Sequence, residues 1–175
     1  MTRGRRDALV LVAAGIAAAA AGVVVGPVFF RSDQAGEALL AASLVDLTGK
    51  RRKLTEWQGG ILVCNFWATW CAPCREEIPL LMAVRREYGP IGVEIIGIAL
   101  DSAAKVGEFT RTFEISYPIL LAESDGLDLM RGLGNSSGGL PYTVVVDRRG
   151  AIATRKLGAL KHGELDAILE FLARS

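Results

Sequence analysis

The sequence predicts an α/β fold, a three-layer domain built on a mixed sheet, and three observations point to it. The continuous apolar, β-rich run ILVCNFWA (Ile61 to Ala68) reads as a strand buried on both faces, and VEIIGIAL (Val93 to Leu100) reads as a second buried strand. Segments with helical spacing alternate with them. Near the C-terminus, PYTVVVDRRGAIATRKLG reads as two antiparallel strands around the turn Asp147-Arg148-Arg149-Gly150. Parallel strands joined through helices, closed by a hairpin, give a mixed sheet with helices on its faces.

The elements follow in order. MTRGRRD carries Arg3, Arg5 and Arg6, and the run from Ala8 to Phe30 then has no charge until Arg31. As a helix that run would reach roughly 34 Å, enough for a hydrocarbon core of about 30 Å. Its length and the lack of a polar c-region favour an uncleaved membrane anchor over a cleaved signal peptide, so residues 1–30 are expected to anchor or export the chain. Arg5-Arg6 resembles a twin-arginine signal only weakly, because Asp7 and Ala8 follow it. With the arginines inside, everything after the run lies on the exported side.

Residues 31–42 read as a linker and residues 43–175 as the domain. SLVDLTGKRRKLTEW is a hairpin turning at Thr48-Gly49-Lys50. After WCAPC, the stretch REEIPLLMAVRREYG is a helix with Ile78, Leu81, Met82 and Val84 inward, ended by Gly89-Pro90. A helix over Ala103 to Glu114, a strand in YPILLAE, a short helix in GLDLMRGLG and an NSSGG loop come next, and HGELDAILEFLARS closes the chain as an amphipathic helix.

Composition narrows the function. Lys plus Arg number 20 against 19 Asp plus Glu, so no charge field points to nucleic acid. The 3 cysteines and 1 histidine are too few for a disulfide-dense scaffold. Cys71 and Cys74 lack the further ligands that a structural zinc needs, since Cys64 sits in a core strand and His162 is far along the chain. Arg75 stands where a covalently attached haem requires histidine, and neither cysteine has the Pro-x-x-x-Thr/Ser-x-x-Cys frame of a peroxidatic thiol. A purely structural disulfide would close too small a loop to constrain much of the unfolded chain.

What remains is a redox pair where a strand becomes a helix. At the helix start, free N–H groups and the dipole stabilise a thiolate. Cys71 is therefore expected to be the exposed attacking thiol, and Cys74, one turn deeper, the resolving one. Pro73 suits the first turn, where no N–H is needed. Cys64 is expected to be a small core hydrophobe.

From Ser43 onward the chain resembles the membrane-anchored, thioredoxin-fold disulfide reductases of the TlpA/ResA type. The matching pieces are LVDLTGK, NFWATWCAPCREEIP, IIGIALD, YPILL and LPYTVVVDRRG, in the expected order. Ala103 to Ala122 resembles the central helix-strand insertion of this branch. The resemblance implies a cis-proline at Pro141, opposite the cysteines, with the Leu140 backbone free to pair with a bound peptide. It also implies a partly buried glutamate at Glu77, three residues past Cys74, relaying a proton to or from that thiol. The opposing reading of Glu77 is a surface carboxylate paired with an arginine. Trp70, Ala72 and Pro73, with Leu140 and Tyr142, are the expected client contacts; Tyr142 and the glycine-rich loop depart from the family's pattern.

The expected function is that of an exported disulfide reductase needing no cofactor or metal beyond the Cys71-Cys74 disulfide. The resemblance implies as clients apocytochrome c or the copper-site proteins of a respiratory oxidase, and a membrane donor of electrons. A disulfide-forming dithiol oxidase is the alternative, and a Cu(I)-binding chaperone a more distant one. The expected location is periplasmic and anchored, or secreted if the leader is cleaved.

Overall fold

In a computed structural model, residues 34–122, 125–161 and 163–174 are described. The apolar run from Ala8 to Phe30, with the anchor reading placed on it, and His162 lie outside them. Among the described residues no helix is long and apolar enough to cross a membrane.

Residues 34–41 form helix α1. There follow β1 (Ser43–Asp46), β2 (Arg51–Lys53), β3 (Ile61–Trp67), α2 (Ala72–Tyr88), β4 (Val93–Ala99) and α3 (Ala103–Thr112). The chain continues through β5 (Ile119–Leu121), α4 (Gly126–Gly132), β6 (Tyr142–Val146), β7 (Ile152–Leu157) and α5 (Glu164–Ala173). One sheet of 7 strands runs in the order β2-β1-β5-β4-β3-β6-β7. Strands β3, β4 and β5 are parallel to one another, and every other pairing is antiparallel. The mixed three-layer architecture expected from the sequence is present.

Central strand β3 is buried at every position. Its alternation sends Ile61, Val63 and Trp67 to one face, against Ile78 and Leu81 of α2, Val106 of α3 and Leu169 of α5. Leu62, Cys64 and Phe66 go to the other face, with Leu39 of α1 and Met130 of α4. Burial on both faces is why this strand shows no polar alternation in the sequence.

The linker expected at residues 31–42 is corrected over 34–41. Leu39 and Leu40 are 0% and 4% exposed, in the core beneath α1. Gly36 meets the turn between β6 and β7 so closely that a Cβ there would stand 2.2 Å from the Gly150 carbonyl oxygen. The expected strands also shorten. Leu54–Trp57 forms a 3-10 turn instead of extending β2, because Leu54 turns inward and is fully buried. Pro118 has no N–H to donate, and β5 begins only after it.

Because Leu39 fills the core rather than a linker, Leu39→Ala is expected to cost about 2–5 kcal/mol. Urea unfolding of the oxidised protein measures it, and a loss below about 0.5 kcal/mol would return α1 to linker status.

Candidate active site

The site lies where β3 ends and α2 begins. Cys71 is the N-cap of α2 and has extended backbone angles; its Sγ accepts a hydrogen bond from the Cys74 N–H at 3.3 Å. The sulfur thus occupies the place of the usual capping oxygen. Pro73 falls in the first turn, where its missing N–H costs nothing. Cys71 and Cys74 form a disulfide with an S–S distance of 2.04 Å and Cα atoms 5.3 Å apart. Cys71 is the more accessible of the two, but it is only 5% exposed against 0% for Cys74. The sulfur expected to be the exposed one is therefore mostly buried in the disulfide form. Trp70, Ala72 and Pro73 are all exposed around it, Trp70 at 68%.

The Leu140-Pro141 peptide bond is cis. Phe66 pairs with Tyr142 across β3 and β6, so the register carries Pro141 to the end of β3 that leads into the cysteines. Pro141 is buried, and its carbonyl accepts from the Gly158 N–H at 2.8 Å. Leu140 is half-buried and packs against the core cluster that contains both cysteines.

Tyr142 is placed differently from expectation. It is 3% exposed and points to the opposite face of the sheet, where its hydroxyl donates to the Leu133 carbonyl at 2.6 Å. One residue of register beyond Pro141 reverses the side chain's direction, so Tyr142 supports the end of α4 and is not a surface for clients. The loop after α4 is tied down as well. Asn135 is buried, and its Nδ2 donates to the Gly139 carbonyl at 2.8 Å while its Oδ1 accepts from Ser137 at 2.9 Å.

Glu77 lies on the buried face of α2, three residues past Cys74. It is 3% exposed, which removes the surface reading, and among the described residues it has no ion pair with an arginine. Asn65 Nδ2 donates to Oε1 at 2.7 Å, and the Leu160 N–H donates to Oε2 at 2.9 Å. Burial pushes the Glu77 carboxyl above its ordinary value, and the Leu160 and Asn65 hydrogen bonds pull back against it.

Sequence reasoning missed the groups around that carboxylate. Asn65 Nδ2 also donates to Thr143 Oγ1 at 3.0 Å, and both residues are 1% exposed. Tyr117 is buried beside them; burial, with the charge of Glu77, holds its phenol above the ordinary value. Room for that ring comes from Gly97, where a Cβ would stand 3.0 Å from Tyr117 Cε2 and 2.6 Å from Ile119 Cδ1. Asn65 was the available signal, as the one amide in an otherwise apolar strand. Cys64 is fully buried on the far face of the sheet, and burial pushes its thiol up to about 12, so it takes no part. Among the described residues no group of 3 or more His, Cys, Asp or Glu side chains could hold a metal ion.

A carboxyl that ionises less readily when folded binds its proton more tightly there than in the unfolded chain. Its contribution to stability is therefore present at low pH and is lost as pH rises through the folded value. As pH falls from neutral toward the ordinary carboxylate range, the oxidised protein is expected to gain stability relative to Glu77→Gln. Paired urea titrations across that range measure it, and the opposite slope would refute the raised carboxyl.

Residues 35–155 match the AhpC/TSA family. The ResA thiol-disulfide oxidoreductase of Geobacillus thermodenitrificans is 30% identical over 128 residues, 73% of this chain and 71% of the relative. The thioredoxin-like protein YneN of Bacillus subtilis is 28% identical over 141 residues, covering 78% and 79% of the two chains. Among solved structures, a thiol:disulfide interchange protein of the thioredoxin family from Chlorobium tepidum superposes with a TM-score of 0.67 at 28% identity, over 75% of this chain and 92% of that one. A secreted thiol-disulfide isomerase from Corynebacterium glutamicum shares the fold at 21% identity, with a TM-score of 0.71 over 78% and 86%. With its cysteine pair at the head of α2, this chain belongs to the AhpC/TSA family and, within it, to the ResA-like thioredoxin-fold thiol-disulfide oxidoreductases.

Proposed function

We propose that this oxidoreductase works as a reductase, keeping cysteine pairs of exported client proteins in the dithiol form. The observation that carries the reading is the Cys71-Cys74 pair at the start of α2 with the buried carboxyl of Glu77 on the same helical face. In the reduced protein the Cys71 thiolate attacks one sulfur of a client disulfide. A mixed disulfide forms, and the other client sulfur leaves as a thiolate. Cys74 then gives its proton to Glu77 and attacks Cys71 Sγ, and the second client sulfur leaves with the electron pair of the broken bond. Two electrons pass to the client, and the Cys71-Cys74 disulfide remains.

Two sulfurs suffice to carry the electrons, so no cofactor or metal is required. The exposed rim of Trp70, Ala72 and Pro73, with the Leu140 backbone beside it, is the surface offered to the client. Apocytochrome c and respiratory copper-site proteins are the client classes suggested by the sequence resemblance. Export is supported by the arginine-led apolar run before residue 31, and by the secreted isomerase that shares this fold. A dithiol donor in the membrane would restore the reduced pair. The oxidase alternative uses the same atoms in reverse, and the potential of the pair separates the two.

Cys74→Ser is expected to accumulate a mixed disulfide between Cys71 and its client, which mass spectrometry of the trapped adduct identifies. An adduct through Cys64 would overturn the assignment. The potential of the wild-type pair, equilibrated against glutathione, is expected nearer about −270 mV than about −120 mV. A value at the oxidising end would make the protein an oxidase.

A further inference from the structure

The hydrogen bonds behind Glu77 assign a role to two residues that no step of the exchange uses directly. An amide in the centre of a strand buried on both faces needs partners inside the protein. Asn65 directs both N–H bonds of its Nδ2 sideways across the sheet face, one to Glu77 Oε1 at 2.7 Å and one to Thr143 Oγ1 at 3.0 Å. This orientation leaves Asn65 Oδ1 buried with no hydrogen-bond partner among the described residues. A carboxylate favours that arrangement, because it has only acceptor atoms and repels an amide oxygen. Thr143 is fixed opposite Asn65 by the pairing of β3 with β6, so the brace is built into the sheet.

We propose that Asn65, braced by Thr143, is the positioning residue that holds Glu77 ready to accept the proton of Cys74. The inference rests on the proposed proton transfer between those two side chains. Without donors, a carboxyl buried on the helical face of Cys74 stays protonated and has nothing to offer the thiol. Asn65 and the Leu160 N–H replace its lost water, one on each oxygen. The ionisable groups facing Glu77 among the described residues are Cys74 on its own helix and Tyr117 from the segment ahead of β5. Tyr117 remains a neutral phenol, because burial and the Glu77 charge both oppose its ionisation. The remaining contacts come from Asn65 of β3 and from the backbone of the loop ahead of α5.

The test uses the full chain with two readouts: the side-chain carboxyl carbon of Glu77 followed by NMR against pH, and the pH profile of iodoacetamide alkylation of the reduced protein. Asn65→Leu removes the donor at similar volume, and the Glu77 midpoint is expected to rise by about one pH unit. Thr143→Val keeps shape and removes the brace, so the midpoint moves the same way by less, and Thr143→Ser restores it. In a Glu77→Gln background, Asn65→Leu leaves the alkylation profile where Glu77→Gln alone puts it. An unmoved Glu77 midpoint in folded Asn65→Leu or Thr143→Val protein overturns the inference. A midpoint that moves as expected, with wild type and Glu77→Gln sharing one alkylation profile, overturns the proton relay and with it the role assigned to Asn65, leaving only its hydrogen bond to Glu77.

Discussion

A carboxylate taken out of water costs several kcal/mol unless donors replace its hydration. The active-site end of this molecule is arranged around meeting that cost for Glu77. Its donors come from β3, through Asn65, and from the loop ahead of α5, through the Leu160 N–H. Asn65 is held in turn by Thr143 of β6. One side chain of α2 therefore ties the helix bearing the cysteines to two strands and to the approach of the last helix. Cys71 and Cys74 sit at a set height above the sheet because the helix below them is pinned at its first turns.

The apolar packing serves the same end. Ile78, Leu81 and Val84 seat α2 on the sheet, and Trp67 closes the end of β3 beneath the disulfide. Phe109 of α3 lies 5.4 Å from Trp67 by ring centroids, with the Arg75 guanidinium 6.0 Å above it. Helix α3 is thereby joined to the rim of the site. On the opposite face α1 and α4 cover the sheet, which leaves β3 with no wet side and makes any polar atom in it depend on a designed partner.

Much of this was legible because it follows from strong local signals. The two central strands were visible as largely apolar, β-rich runs, and the start of α2 was marked by Pro73 and by helical spacing after it. Helix α1 was not legible. Its length is short and its only large buried residues are Leu39 and Leu40, so the pattern carries little periodicity, and Gly36 reads as a linker residue unless its approach to Gly150 is known. Tyr142 was misplaced because adjacency to Pro141 in sequence says nothing about which face of a strand a side chain takes. Glu77 could be singled out by its three-residue spacing from Cys74. Its donors could not, since Asn65 and Leu160 lie 12 and 83 residues away and meet it only through the sheet and the last loop.

The same geometry bears on the direction of electron flow. A pair is more oxidising when its thiolate is well stabilised, since that favours the reduced form. Here the helix N-terminus favours the thiolate, but Ala72 and Pro73, the two residues between the cysteines, offer neither charge nor a side-chain donor to it. Burial raises the Glu77 carboxyl and its two donors pull back against that; in its ionised form it works the other way, because a negative charge on the same helical face disfavours a second one on sulfur. The donors that ready Glu77 to take a proton also add weight against the thiolate and toward the disulfide. On the proposed reading, proton acceptance and reducing character would both follow from this one set of hydrogen bonds.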